Sequence, residues 1–344
     1  MSSNFIRANA AELAESIVET QYALQPQVWK PYGSPGRVKS ARDTRYHLDY
    51  LTEALEAGAP ELFTAYISWV KVLFASLNFP DTVLPTTLNC ARQVLSARLP
   101  TEERAPALAL LDEGIRQIEK TPADLPGFLN GDAPFADLAR RYLEALLRGD
   151  RHSASRLILD AVERGVSVTD IYMHVFQASQ REIGRLWQIN RVSVAQEHYC
   201  TAATQLIMSQ LYPRIFATEK KGHALVAACV GGELHEIGAR MVTDLLELNG
   251  WDTHYLGANT PTASVLSMVA ERGARVLALS TTMTFHLDQV RAVIAETRQS
   301  GLNVRILVGG HPFNLAPGLW KTIGADGYAA DARQAIAVAE GLIA

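Results

Sequence analysis

From about residue 223 onward, short apolar runs alternate with amphipathic stretches. HALVAACV (223–230), THYL (253–256), RVLALST (275–281), NVRILVG (303–309) and DGYAA (326–330) have the length and apolarity of buried strands. Between them, ELHEIGARMVTDLLELNG, TPTASVLSMVAERG and DQVRAVIAETRQSG read as helices, and ARQAIAVAEGLIA closes the chain in the same pattern. Alternation at this spacing means right-handed crossovers and a parallel sheet covered on both faces. Gly250, Gly273, Gly301 and Gly324 stand where each helical pattern stops, as left-handed caps do.

Residues 133–218 keep helical periodicity and carry no strand signal. FADLARRYLEALLRGD, RHSASRLILDAVERG, TDIYMHVFQASQREIGRLWQIN and SVAQEHYCTAATQLIMSQLYPRIF predict a four-helix bundle with short joins, Ser193 capping the last helix. Residues 1–128 are also helical but looser. QPQVWKPYGSPGR (25–37), rich in proline and glycine, predicts a loop. Helices follow in ARDTRYHLDYLTEALEAG, PELFTAYISWVKVLFASLN, TVLPTTLNCARQVLSARL and EERAPALALLDEGIRQIEK. TPADLPGFLNGDAP (121–134) predicts the boundary with the bundle. The fold class is thus multidomain α and α/β. A helical domain (1–128) and a four-helix bundle (133–218) precede a flavodoxin-like, five-stranded, doubly wound domain (222–344).

Composition narrows the function. The chain has 344 residues, 48% hydrophobic and 20% charged, with a net charge of −4, which excludes a generally basic nucleic-acid binder. No apolar run approaches a membrane span, and the N-terminus lacks a signal peptide's apolar core, so a cytoplasmic location is expected. Cys90, Cys200 and Cys229 are widely spaced and odd in number, so neither a disulfide framework nor a zinc cluster is implied.

The informative residues are Glu233-Leu234-His235-Glu236-Ile237-Gly238, just after the first strand, where ligands of parallel sheets bind. A histidine on this turn faces solvent and is free to coordinate; Glu233 is placed to hold its distal nitrogen. Gly238 leaves room for a large planar group. The segment resembles the cobalamin-binding domain of methionine synthase, corrinoid methyltransferase proteins and cobalamin photoreceptors. Their pattern is Asp/Glu-x-His-x-x-Gly, then Ser-x-Thr/Leu after the third strand and Gly-Gly after the fourth. Glu233/His235/Gly238, Ser280-Thr281-Thr282 and Gly309-Gly310 follow it in order. The resemblance implies that His235 is the lower cobalt ligand, the only metal ligand expected. It also implies that the nucleotide tail threads beside Ser280, Thr282, Gly309 and Gly310.

The upper face divides the family. Trp187 ends the third bundle helix and Glu197-His198 opens the fourth, giving Trp-x9-Glu-His. This spacing resembles the adenosylcobalamin photoreceptors of the CarH type, and implies that Trp187, Glu197 and His198 hold the adenosyl group. Taken alone, Trp187 reads equally as a core aromatic, and Glu197-His198 as a solvated helix start. Two departures stand out. Nothing resembles the photoreceptors' helix-turn-helix domain, so direct DNA binding is not expected. Gln188 occupies the position where they place a histidine that takes over the cobalt after photolysis.

In the N-terminal domain, Arg37, Lys39, Arg42, Arg45 and His47 are interleaved with Tyr46, Tyr50, Trp69 and Phe74. A helical, globin-like domain ahead of such a module is similar to the photocobilins, which combine cobalamin with biliverdin. The resemblance implies non-covalent biliverdin near Arg42, Arg45 and His47. The same residues read equally as a solvated face over an aromatic core, and Cys90 reads as a buried thiol.

Three functions follow. The first is a light sensor and not an enzyme: photolysis of adenosylcobalamin changes conformation or self-association and regulates an unidentified effector enzyme or regulator. The second is a corrinoid carrier of a methyltransferase system, holding methylcobalamin for a separate catalytic subunit. The third, a radical mutase, needs a substrate barrel for which the chain has no strands left over. The Trp-x9-Glu-His spacing and the extra N-terminal domain favour the first.

Overall fold

The computed structural model describes residues 4–122, 125–129, 131 and 133–344. They fall into two compact units, Met1–Asp124 and Leu125–Ala344. Ala123, Asp124, Asn130 and Asp132, within the expected boundary segment, lie outside the described residues.

The first unit is helical. Its long helices are α1 (Ala10–Leu24), α2 (Gly33–Ala57), α3 (Pro60–Ser76), α4 (Val83–Arg98) and α5 (Thr101–Lys120). Leu13, Ile17, Leu48, Leu51, Leu62, Phe63, Ile67 and Leu95 fill its core. Lys71 Nζ donates to the Ile118 and Thr121 carbonyls at 2.7 and 2.6 Å, satisfying the open end of α5.

Segment 25–37 is not the expected loop. It forms a helical turn (Pro26–Trp29), a 3-10 turn (Lys30–Tyr32) and the opening of α2. Pro26, Pro31 and Pro35 each lie in the first turn of their helix, where an amide N–H has no intrahelical acceptor to lose. Proline density here marks helix starts. Trp29 stacks on Tyr22 (5.0 Å) and leans on Phe79 (5.9 Å), which fixes the segment to its neighbours.

The second unit begins with the bundle: α6 (Ala136–Leu147), α7 (Arg151–Glu163), α8 (Gln177–Gln188) and α9 (Val194–Gln210). Ser193 caps α9 as expected. Its hydroxyl accepts from the Gln196 N–H at 3.2 Å, and Gln196 Oε1 accepts from the Ser193 N–H at 3.1 Å. Residues Ile171–Phe176, leading into α8, are π-helical. The apolar pattern does not foretell this, because a widened turn still buries Ile171, Tyr172, Val175 and Phe176.

The sheet follows. Its strands are β1 (Ala224–Cys229), β2 (Asp252–Tyr255), β3 (Val276–Ser280), β4 (Arg305–Gly309) and β5 (Gly327–Ala329), within two residues of the sequence reading at each end. Helices α10 (Ile237–Leu248), α11 (Thr262–Arg272), α12 (Leu287–Gln299) and α13 (Ala332–Ile343) cover it. Gly250, Gly273, Gly301 and Gly324, the expected helix ends, have φ of 88°, 56°, 74° and 84°. The strands are parallel in the order β2-β1-β3-β4-β5. The winding reverses between β1 and β3, so their carboxyl ends open a crevice. Met241 and Leu245 of α10 enter the core of the bundle, which sets the bundle over this side of the sheet.

Candidate functional site

The turn from β1 to α10 carries His235. Its backbone is pinned from the neighbouring turn: Gly232 N–H donates to Asn259 Oδ1 at 2.8 Å, and Asn259 N–H donates to the Glu233 carbonyl at 2.9 Å. Glu233 is fully buried beneath the turn, while the His235 side chain is 59% exposed. His235 Nδ1 lies 2.6 Å from Glu233 Oε1, which also accepts the His235 N–H at 2.9 Å. Glu233 Oε2 accepts the Thr282 and Met283 N–H groups at 2.7 and 3.0 Å, and stands 3.2 Å from His286 Nδ1.

Burial alone would raise the Glu233 carboxyl. The hydrogen bonds from His235, His286 and the backbone overcome it and hold the group well below the carboxylate range. Glu233 is therefore an anion and accepts only, so His235 donates from Nδ1. The lone pair then sits on Nε2, the atom left for a metal. The Glu233 hydrogen bond pushes the His235 pKa up against the opposing effect of burial. Glu197, from α9, adds to the rise. Glu236 joins the bundle to the turn. Its Oε1 accepts from Gln205 Nε2 of α9 at 2.8 Å, and its Oε2 from the Tyr255 hydroxyl at 2.9 Å.

Ser280, Thr282, Gly309 and Gly310 converge on the same edge. Cys229, Ser280 and Gly309 are in register across β1, β3 and β4. The glycines there answer to the fold itself. A Cβ on Gly310, which has φ +110°, would stand 1.8 Å from the Thr281 carbonyl oxygen; one on Gly309 would stand 3.2 Å from that of Ala329. Gly238 is different. A methyl group there meets nothing within 4 Å, although glycine inside a helix costs about 1 kcal/mol relative to alanine. Open space over Gly238, beside an imidazole presented through Nε2, fits a bulky planar metal-bearing ligand such as a corrinoid.

Three expected upper-face residues lie in the bundle. Trp187 is half-buried near the end of α8, and the adjacent Gln188 is buried. Glu197 and His198 lie in the first turn of α9, His198 Nδ1 being 2.5 Å from Glu197 Oε2. The bilin residues are not brought together. Arg42 and Arg45 are exposed, whereas His47 is buried and its Nδ1 is 2.8 Å from the Tyr66 hydroxyl. Burial pushes His47 down to about 4, so it is neutral at pH 7 and no cationic partner for a propionate. Cys90 is a buried thiol, as expected. His286 escaped the sequence reading, because a single histidine after a short turn carries no periodic signal.

Comparison with known proteins bears on both halves of the second unit. Models described as B12 binding domain match residues 224–337 and 138–212. Dimethylamine corrinoid protein 1 of Methanosarcina acetivorans is 30% identical over 198 residues, covering 54% of this chain and 90% of that protein. Monomethylamine corrinoid protein 2 of Methanosarcina mazei is 25% identical over 212 residues, covering 59% and 96%. The structure of the Methanosarcina barkeri monomethylamine corrinoid protein shares the fold, with a TM-score of 0.55 and 22% identity, over 61% of this chain and all of that one. Among the described residues no helix is long and apolar enough to cross a membrane.

These relatives correct the expected ordering of functions. The motifs around His235 are common to corrinoid carriers and photoreceptors, so the expectation of light sensing rested on Trp187, Glu197 and His198 and on the extra N-terminal domain. The relatives are methylamine corrinoid proteins, and they support neither the photoreceptor nor biliverdin. The match to the first of them and the two domain models place this chain in the family of B12-binding corrinoid proteins.

Proposed function

We propose that the chain is a corrinoid carrier, which holds cobalamin between bundle and sheet and passes a methyl group between partner methyltransferases. The observation that carries this reading is the pairing of the buried Glu233 with His235 in a chain that spans 90% of a dimethylamine corrinoid protein. A bound corrinoid supplies a cobalt centre that takes up and releases the methyl group. The chain's residues bind and orient. Glu233 fixes the tautomer and plane of His235, the crevice beside Ser280, Thr282, Gly309 and Gly310 takes the nucleotide tail, and Gly238 leaves room for the ring. Trp187, Glu197 and His198 bound the space above it. The chain itself is then no enzyme; catalysis belongs to its partners.

The test is to load the chain with cobalamin, reduce it, and add a methylamine together with a corrinoid-dependent methylamine methyltransferase. The expected result is the absorption spectrum of methylcobalamin on the chain. The opposite result is no methylation, together with a change of oligomeric state when the adenosylcobalamin-loaded chain is lit with green light. That outcome would restore the light-sensing reading.

A further inference from the structure

Helix α9 leaves one side bare. Cys200, Ala203, Ile207 and Met208 are buried in the bundle core, while Val194, His198, Ala202 and Leu206 follow at four-residue intervals on the other side and are all exposed. The stripe runs about 18 Å. Its first turn lies by the crevice, since Glu197 is among the groups that raise the His235 pKa. Its far end opens into a groove of about 440 Å³ between α9 and α7, lined by Leu159, Leu206, Arg151 and Arg156. Among the described residues no carboxylate pairs with either arginine. The nearby Asp150 is committed to capping α7, where it accepts the Ser153 N–H at 2.9 Å. Arg151 stands in the first turn of α7, at the positive end of the helix dipole, so a cation there works against the helix.

We infer that the α9 stripe and the groove at its end form the docking surface for a partner methyltransferase, one that presents an apolar side chain flanked by carboxylates. This rests on the carrier reading under the proposed function, which requires a second protein beside the crevice. The apolar part of the partner follows from Leu206, 48% exposed, and from Leu159 across the groove. The acidic part follows from the groups left to bind. The Ser155 hydroxyl occupies Gln210 Oε1 at 2.5 Å, so the Gln210 amide nitrogen and the two guanidinium groups remain, and all of them donate. A guanidinium takes a carboxylate through two parallel N–H bonds. Leu206 is nine residues beyond Glu197, about 14 Å along the helix, so a protein seated in the groove stands next to the crevice.

The experiment titrates the full chain, loaded with cobalamin, with a purified corrinoid-dependent methylamine methyltransferase at about 50 and about 500 mM salt. Calorimetry gives the affinity, and cobalamin retention and methyl transfer are followed alongside. Arg151→Glu combined with Arg156→Glu should weaken binding about tenfold at low salt and less at high salt. Leu206→Asp should weaken it at both. A carboxylate in the first turn suits a helix, and unchanged cobalamin retention shows that each variant is folded. Arg140→Glu combined with Arg141→Glu makes the same change of charge on α6 and should stay within about threefold of wild type. A photo-crosslinker at position 206 should attach to an acidic segment of the methyltransferase. Unweakened binding by the groove variants would overturn the inference, as would equal weakening by both charge reversals or attachment to a segment without carboxylates. In each case, methyl transfer to the wild-type chain would leave the carrier reading standing. A wild-type chain that neither binds the methyltransferase nor receives a methyl group would instead remove the carrier reading, and the inference with it.

Discussion

The molecule holds two histidine–carboxylate pairs of nearly equal length, and they differ in everything around them. In the sheet turn, His235 meets Glu233 at 2.6 Å; in the bundle, His198 meets Glu197 at 2.5 Å. Glu233 is fully buried and receives donors on both oxygens from two separate turns, its own and the one that follows β3. Glu197 is 32% exposed; His198 is its neighbour in the chain and is 74% exposed. An exposed pair of adjacent residues contributes little, since solvent screens it and side-chain entropy opposes it. A buried carboxylate must be satisfied by the fold, so the fold also decides the imidazole's tautomer. A distance identifies a contact; the number of groups committed to it identifies a site.

Gly310→Ala attacks the edge on which Glu233 depends. The new Cβ would run into the Thr281 carbonyl, at a φ unfavourable for alanine. We expect a loss of about 3 kcal/mol or more in denaturant unfolding. A loss below about 1 kcal/mol would mean that the edge is soft.

Glu233→Gln comes next. The neutral amide cannot accept every donor now converging on the carboxylate, and His235 loses its fixed tautomer. Cobalamin retention in equilibrium dialysis should fall about 10- to 100-fold. The depressed pKa of Glu233 also contributes stability that is present above its unfolded value of 4.5 and lost as pH falls toward the folded one. The variant should therefore lose less stability than wild type in acid.

Asp244 shows what burial does with fewer donors. It accepts from the Tyr172 hydroxyl at 2.8 Å, and burial raises it from 3.8 to about 6 despite nearby Arg240. The sign is opposite to that of Glu233. Stability from this group is full below pH 3.8 and is lost as pH rises through about 6. Asp244→Asn should flatten that fall, worth on the order of 2 kcal/mol between pH 4 and 7, in urea midpoints measured across the window. An unchanged slope would place the titration elsewhere.

The smallest effect belongs to the bundle pair. Glu197→Gln and His198→Ala should each change cobalamin retention by less than about threefold. A loss as large as that from Glu233→Gln would erase the distinction between the pairs.

Strand positions, helix ends and the His235 turn were legible because each depends on local pattern: apolar runs, glycines at helix ends, a histidine just past a strand. Segment 25–37 was misread because proline serves both loops and helix starts, and only the partners of Trp29 distinguish them. His286 was invisible because its role depends on a carboxylate 53 residues away. Trp187, Glu197 and His198 were over-read. Their spacing fits a function, but spacing along two helices says nothing of how firmly the fold holds the side chains. For Arg42, Arg45 and His47 the reason is simpler: the arginines, three residues apart, share an exposed face of α2, whereas His47 falls on its buried side.

The central claim is that His235, oriented by Glu233, ligates the cobalt of a bound corrinoid. Electron paramagnetic resonance of the Co(II) form, with the chain labelled with 15N-histidine, tests it most directly. The account predicts nitrogen splitting that changes with the label and disappears in His235→Ala while Glu197→Gln and His198→Ala leave it intact. Splitting that ignores the label, or that survives His235→Ala, would contradict it.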